Sequence, residues 1–274
     1  MPEPFPGSLV VPNFNRTDEW GLSLVILMAW FLPSQSLAKG PTIIWHGQSF
    51  FEIVTGDGTR VAIDPHAIEN YGRKTVKSNL VLLSHRHTDH TKLEAIENLM
   101  DARVLESLKE VKGDSRRTEF IPIDERIKGI RVRNIPCFHD DQQGMRRGRN
   151  SIWVIESDGI RIAHLGDLGH QLDAGQLRLL GPVDVLMIPV GGVYTLNGID
   201  ARRVVDQIKP SRHIIPMHYG TRVYADLLGP EAFLEEFAEG AITRIKGNNL
   251  EVGFAPPPGQ QKVVLLGWES VPAK

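Results

Sequence analysis

Residues 82–93 read LLSHRHTDHTKL, and His85, His87, Asp89 and His90 fill four of the six positions from 85 to 90. Imidazole and carboxylate are standard ligands for divalent metal ions, and so dense a cluster would be costly to bury without a cation to pair it. His85 and His87 lie two residues apart at the end of an apolar run. Alternate residues of an extended chain face the same way, so both rings can reach one ion. Asp89 and His90 follow where the chain turns. Four ligands from so short a segment exceed what one tetrahedral ion takes, so the loop reads as shared between two ions.

Three further candidate ligands end other predicted strands: His139 after residues 135–138, Asp167 after residues 162–166 and His218 after residues 214–217. In open α/β sheets, sites collect at strand ends, where loops converge without disturbing the core. Seven ligands suit two ions with a bridging water, and Asp167 is the candidate to bridge them. The chemistry this favours is hydrolysis. Zinc lowers the pKa of bound water to about 7, and a pair of ions roughly 3.5–4 Å apart can hold the hydroxide and stabilise charge on the attacked group. Two divalent ions are therefore expected, Zn²⁺ first, with Mn²⁺ or Fe²⁺ suited to the same ligands. His164 and His213 stand apart from the cluster and read as structural or surface residues.

The elements that must position these residues alternate along the chain. Short β-rich runs at 42–45, 50–54 and 60–63 are punctuated by Gly47 and the turn Gly56-Asp57-Gly58, as in a strand meander. Residues 80–83 form a continuous apolar strand, and 91–100 place apolar residues at helical spacing. Strands are expected around 104, at 131–135, at 151–156 paired with 160–165, at 185–189, at 213–216, at 250–254 and at 262–266. Helices are expected at 176–180, 199–208 and 230–238. Strands alternating with helices around two buried sheets predict a layered α/β sandwich.

Composition narrows the class. Over 274 residues, 31 Lys and Arg against 33 Asp and Glu leave a formal charge of −2, so no global basic field points to nucleic acid. With Cys137 as the single cysteine, no intrachain disulfide can form. Residues 22–32 read LSLVILMAWFL without a charge, and small residues at Ser36 and Ala38 follow. An apolar core of about 7–15 residues before a small-x-small site is the pattern of a secretory signal peptide, and it is too short for the roughly 20 residues a membrane span needs. Residues 1–38 are accordingly expected to target the protein for export to a bacterial periplasm, with 39–274 as the functional domain. An uncleaved anchor and a buried helix, with a cytoplasmic protein, are the alternatives.

His85-Arg86-His87-Thr88-Asp89-His90 resembles the HxHxDH signature of the metallo-β-lactamase superfamily. Cys137-Phe138-His139-Asp140, His164-Leu165-Gly166-Asp167 and Pro216-Met217-His218-Tyr219 resemble its remaining metal motifs in order, and the resemblance runs from about Thr42 onward. It is nearest the small metal-dependent hydrolases that include the L-ascorbate-6-phosphate lactonases, on residues 166–170, 182–186 and 188–192. The resemblance implies a four-layer αββα sandwich. It implies one site of His85, His87 and His139, a second of Asp89, His90 and His218, and Asp167 bridging. It also assigns catalysis to Asp89 and the orientation of a ligating histidine to Asp64. Relatives usually carry Gly-His after the first strand, whereas the order here is Trp45-His46-Gly47-Gln48; His46 is kept as a candidate facing the site.

Within that superfamily His87 argues against the redox di-iron members, where glutamate usually stands, and Asp167 argues against β-lactamases proper. The expected reaction is hydrolysis of a small ester, lactone or phosphodiester by a metal-bridging hydroxide. A redox metalloprotein of the same fold and a metal-stabilised binding protein are the alternatives. The loop Arg146-Arg147-Gly148-Arg149-Asn150 suggests an anionic small-molecule substrate, because arginine forks match carboxylate and phosphate oxygens. Arg149, Asn150 and Tyr194 are the substrate-binding candidates. No nucleic-acid partner and no stable membrane insertion of a cleaved chain are expected.

Overall fold

The computed structural model describes residues 40–72, 75–253 and 262–269. The expected targeting segment and residue 254 of the expected strand 250–254 lie outside these. One mixed sheet contains β1 (Thr42–Trp45), β2 (Phe51–Val54), β3 (Arg60–Ile63), β4 (Leu80–Leu83), β5 (Arg103–Glu106) and β15 (Asn249–Glu251), in the order β15-β1-β2-β3-β4-β5. A hairpin of β6 (Leu108–Val111) and β7 (Asp114–Phe120) follows it in the chain. The second sheet is built from β8 (Asp124–Ile127), β9 (Ile130–Phe138), β10 (Arg149–Ser157), β11 (Ile160–His164), β12 (Val185–Pro189), β13 (His213–Met217), β14 (Ile242–Ile245) and β16 (Lys262–Leu266). Its order is β14-β16-β13-β12-β11-β10-β9-β8.

Side-chain alternation along β4 shows how the layers form. Leu80 and Leu82 join the main core with residues of the second sheet, whereas Val81 and Leu83 face the opposite way, into a smaller cluster with Phe50, Ala62, Ala95 and Ile96. The main core also takes Leu180 of α1 (Ala174–Leu180), Val204 and Val205 of α2 (Gly198–Ile208) and Phe233 of α3 (Glu231–Leu234). Asp173 starts α1 with a reciprocal capping box to Gln176, and the Asn197 side chain caps α2. This is the αββα sandwich of the metallo-β-lactamase fold.

Two expected helices differ. Residues 91–100 form only two 3₁₀ turns, Leu93–Ala95 and Leu99–Asp101. Their backbone groups bond across the chain instead of within a helix. Ala95 O accepts from Val76 N, Glu97 N donates to Val76 O, and the Asn98 side chain accepts from Ser78 N while donating to Ser78 O. The outer layer over the first sheet is therefore made of short turns. The helix expected at 230–238 is a single turn, α3. Among the described residues no helix is long and apolar enough to cross a membrane.

Candidate metal centre

The two sheets end their strands at one common edge. Asp64 follows β3, His85 to His90 follow β4, His139 follows β9, Asp167 follows β11 and His218 follows β13. The backbone there is held in unusual conformations: Gln48, Asp64 and His218 have φ of 53°, 49° and 50°, a left-handed region that non-glycine residues adopt at a cost and that clusters at functional sites. Gly166, at φ 53°, precedes Asp167, and a Cβ there would fall 2.3 Å from Asn150 Oδ1, so that turn requires glycine.

Among the described residues, three groups bring their ligand atoms close enough to hold an ion: His85 with His87 and His139, Asp89 with His90 and His218, and between them Asp64 with His85 and His90. Asp167 lies between the first two groups. Its Oδ2 is 3.1 Å from His139 Nε2 and 3.8 Å from His85 Nε2 on one side. On the other it is 3.2 Å from His90 Nε2 and 3.0 Å from His218 Nε2. All seven side chains named from the sequence are thus brought to one place.

Hydrogen bonds on the outer side of the rings determine which nitrogen faces inward. Asp64 accepts from Ser84 N at 2.7 Å and from Ser84 Oγ at 2.6 Å, and its Oδ2 lies 3.1 Å from His90 Nδ1. Ser84 Oγ, having donated to Asp64, accepts from His85 Nδ1 at 2.9 Å. The network therefore turns Nδ1 of both rings outward to these partners and Nε2 of both toward the centre. His85 Nε2 meets His87 Nδ1 at 3.0 Å, and His90 Nε2 is buried without a hydrogen bond. A buried nitrogen with no partner, such as His90 Nε2, is costly unless a cation is bound beside it. The donor set of imidazole and carboxylate fits a divalent ion in each of the first two groups.

The electrostatics agree. Burial alone would raise the Asp167 carboxyl, but His218, His90 and His139 outweigh it and hold it well below the carboxylate range. Burial would lower His90, yet Asp167, Asp64 and Asp89 push it well above its ordinary value, so this point in the protein attracts positive charge. Burial and the neighbouring His90 push His85 well down, which keeps its lone pair available. Asp89 is held down to about 2 because bonding to His90 outweighs its burial.

A cleft of about 240 Å³ opens onto the centre, lined by His87, Asp89, His139, Asp167 and His218 together with Arg147 and Tyr194. Of the substrate candidates named from the sequence, Tyr194 lines this cleft, whereas Arg149, Asn150 and His46 are not among its lining residues. Arg149 donates to Thr118 O and stacks its guanidinium over Phe120, so it serves the β7 hairpin. Asn150 is fully buried, donates to Leu165 O at 2.8 Å and accepts from Asp167 N at 3.2 Å, so it shapes the Asp167 turn from beneath. His46 is buried beside Glu52, with Nε2 3.5 Å from Oε2, and packs on Phe50. His164 donates from Nε2 to Ser49 O and accepts at Nδ1 from Gly166 N.

Gln48 and Ser49 were not named as site residues from the sequence, and Arg147 was named only as part of the loop 146–150. Gln48 Nε2 donates to Asp89 Oδ2 at 3.1 Å, and Ser49 Oγ lies 3.1 Å from Gln48 Oε1 and 3.3 Å from Asp167 Oδ1, joining the two carboxylates of the centre. The departure Trp45-His46-Gly47-Gln48 was the signal for Gln48.

The chain is similar to known proteins. A profile of the beta-lactamase superfamily domain matches residues 42–218. A UPF0173 family protein of Pyrococcus furiosus is 32% identical over 207 residues, covering 73% of this chain and 92% of its own. A protein named UPF0173 metal-dependent hydrolase from Thermoplasma acidophilum is 30% identical, covering 65% and 83%. The crystal structure of a candidate zinc-dependent hydrolase of the metallo-β-lactamase superfamily from Thermotoga maritima superposes with a TM-score of 0.61 at 28% identity, covering 82% of this chain and 98% of that one. Fold, ligand order and these likenesses together place the chain in the metallo-β-lactamase superfamily, to which it belongs.

Proposed function

We propose that this protein is a metal-dependent hydrolase whose two-ion centre cleaves an ester, lactone or phosphodiester bond in a small anionic substrate. The observation that carries the reading is the pair of three-ligand groups meeting at Asp167 Oδ2. The names of the Thermoplasma and Thermotoga proteins support the class. When bound, divalent ions supply Lewis acidity and a water acidified to a pKa of about 7, and zinc is the first choice for these ligands.

The chain's own residues orient and protect. Asp64 holds His90 directly and His85 through Ser84. Asp89, its side chain 33% exposed at the cleft, stays ionised at neutral pH and orients the attacking water by accepting its hydrogen bond. Gln48 keeps that carboxylate from turning away. Asp167 keeps the two groups in register, and the Gly166 turn with Asn150 beneath it sets where Asp167 stands.

Metal analysis of the purified protein, followed by assay on a panel of lactones, esters, thioesters and phosphodiesters, tests the reading. Two metal equivalents and turnover abolished by a chelator are expected. A metal-loaded protein that hydrolyses no member of the panel would overturn it.

A further inference from the structure

On the basis of the hydrolytic centre above, we propose that Arg147 is the specificity residue that binds a carboxylate or phosphate group carried by the substrate. Arg147 lines the cleft beside His87, Asp89 and His139, and it also borders an adjoining hollow of about 220 Å³ that shares His139 and Tyr194. Arg147 is thus common to the walls of both spaces, beside the ligand His139.

The residue is held there from both ends. At the backbone, Asp140 gathers its loop: Oδ1 accepts from Gln142 N and Gly144 N at 2.8 Å each, and Oδ2 accepts from Arg146 N at 2.9 Å and Arg147 N at 2.7 Å. One carboxylate thus fixes the whole turn between the ligand His139 and β10. At the side-chain end, Arg147 Nη2 donates to Val193 O at 3.0 Å, and Cζ lies 4.7 Å from the centroid of the Tyr194 ring. Val193 has φ 52°, a conformation that is an outlier for a β-branched residue, and such strain persists where the surroundings demand it.

The fork is preorganised but not saturated. A guanidinium carries five N–H donors, and among the described residues this one donates only to Val193 O. The remaining donors match two oxygens of a carboxylate or phosphate in a planar, bidentate fashion that a lysine cannot reproduce. Binding energy collected there positions the reacting bond and lowers KM for the charged substrate. Arg149, two residues along at the start of β10 and of equal charge, is engaged with Thr118 and Phe120, and so provides an internal control.

The test compares two esters of one leaving group, neutral 4-nitrophenyl acetate and anionic mono(4-nitrophenyl) succinate, on the metal-loaded enzyme. Arg147→Ala should raise KM for the succinate ester at least tenfold and leave the acetate ester within twofold. Arg147→Lys should fall between, and Arg149→Ala should leave both within twofold. Calorimetric titration of the same proteins with succinate and with inorganic phosphate reads binding without turnover; at least tenfold weakening of either by Arg147→Ala, but not by Arg149→Ala, is expected. Equal KM changes for the two esters, or unchanged affinity for both anions, would overturn the proposal. A wild type that cleaves neither ester counts against ester hydrolysis, while the titrations still decide the role of Arg147.

Discussion

Nδ1 of His90 lies 3.1 Å from Oδ2 of Asp64, and both side chains are wholly buried. The same oxygen accepts from Ser84 Oγ, which in turn accepts from His85 Nδ1, so one carboxylate orients a ring in each ligand group. Asp64→Ala should therefore weaken both sites together, by about 10–100-fold in metal affinity, as losses of such outer partners do. It also leaves Ser84 N and His90 Nδ1 without their acceptor, at roughly 1–3 kcal/mol for each buried group. Competition with a chromogenic chelator and urea unfolding check the two effects; weakening of one site alone would refute the shared role.

Gln48 separates activity from stability. Its amide holds Asp89, but its φ of 53° favours glycine. Gln48→Gly loses the side-chain bonds and relieves the backbone, so stability should stay within about 1 kcal/mol of wild type. Turnover should fall on the order of tenfold, because an orienting partner of the Asp89 carboxylate is gone. Equal falls in turnover and stability would count against this division.

Asn150 should behave as a structural residue and not as a substrate contact. Asn150→Ala leaves Leu165 O and Asp167 N buried without their partner. A loss of roughly 2–5 kcal/mol is expected from two such orphaned groups and the cavity. KM of the folded fraction should stay unchanged, and a large KM increase with full stability would return Asn150 to the substrate pocket.

His66 gives the fold a defined acid sensitivity. Burial pushes its imidazole down to about 4, against the bond it makes to Gly47 O. The unfolded chain, near 6.5, binds the proton first, so stability is full above pH 6.5, falls as pH drops toward about 4 and is flat below. The shift corresponds to a contribution on the order of 3 kcal/mol. His66→Gln, which can still donate to Gly47 O, should lose less stability than wild type between pH 6.5 and 4.5 in paired urea titrations. Parallel curves would show that other groups set the slope.

The ligands of the metal centre were readable because their chemistry is local. His85, His87, Asp89 and His90 share one short loop, and His139, Asp167 and His218 each end an apolar run whose periodicity marks a strand. Strand patterns also sufficed for the sandwich, since burial on both faces of β4 and β12 leaves continuous apolar runs. Residues 91–100 show where that reasoning ends: their apolar spacing is helical, yet Val76 and Ser78, distant in sequence, take the hydrogen bonds a helix would have used. The same limit separates Arg147 from Arg149. Their types and spacing are equivalent along the chain, and it is the packing of Phe120 and Thr118 against Arg149, and of Val193 and Tyr194 against Arg147, that puts Arg147 and not Arg149 on the cleft wall. Composition and spacing settle which atoms can bind a metal; which neighbours orient them, and which charge meets the substrate, follow from contacts between segments that only folding brings together.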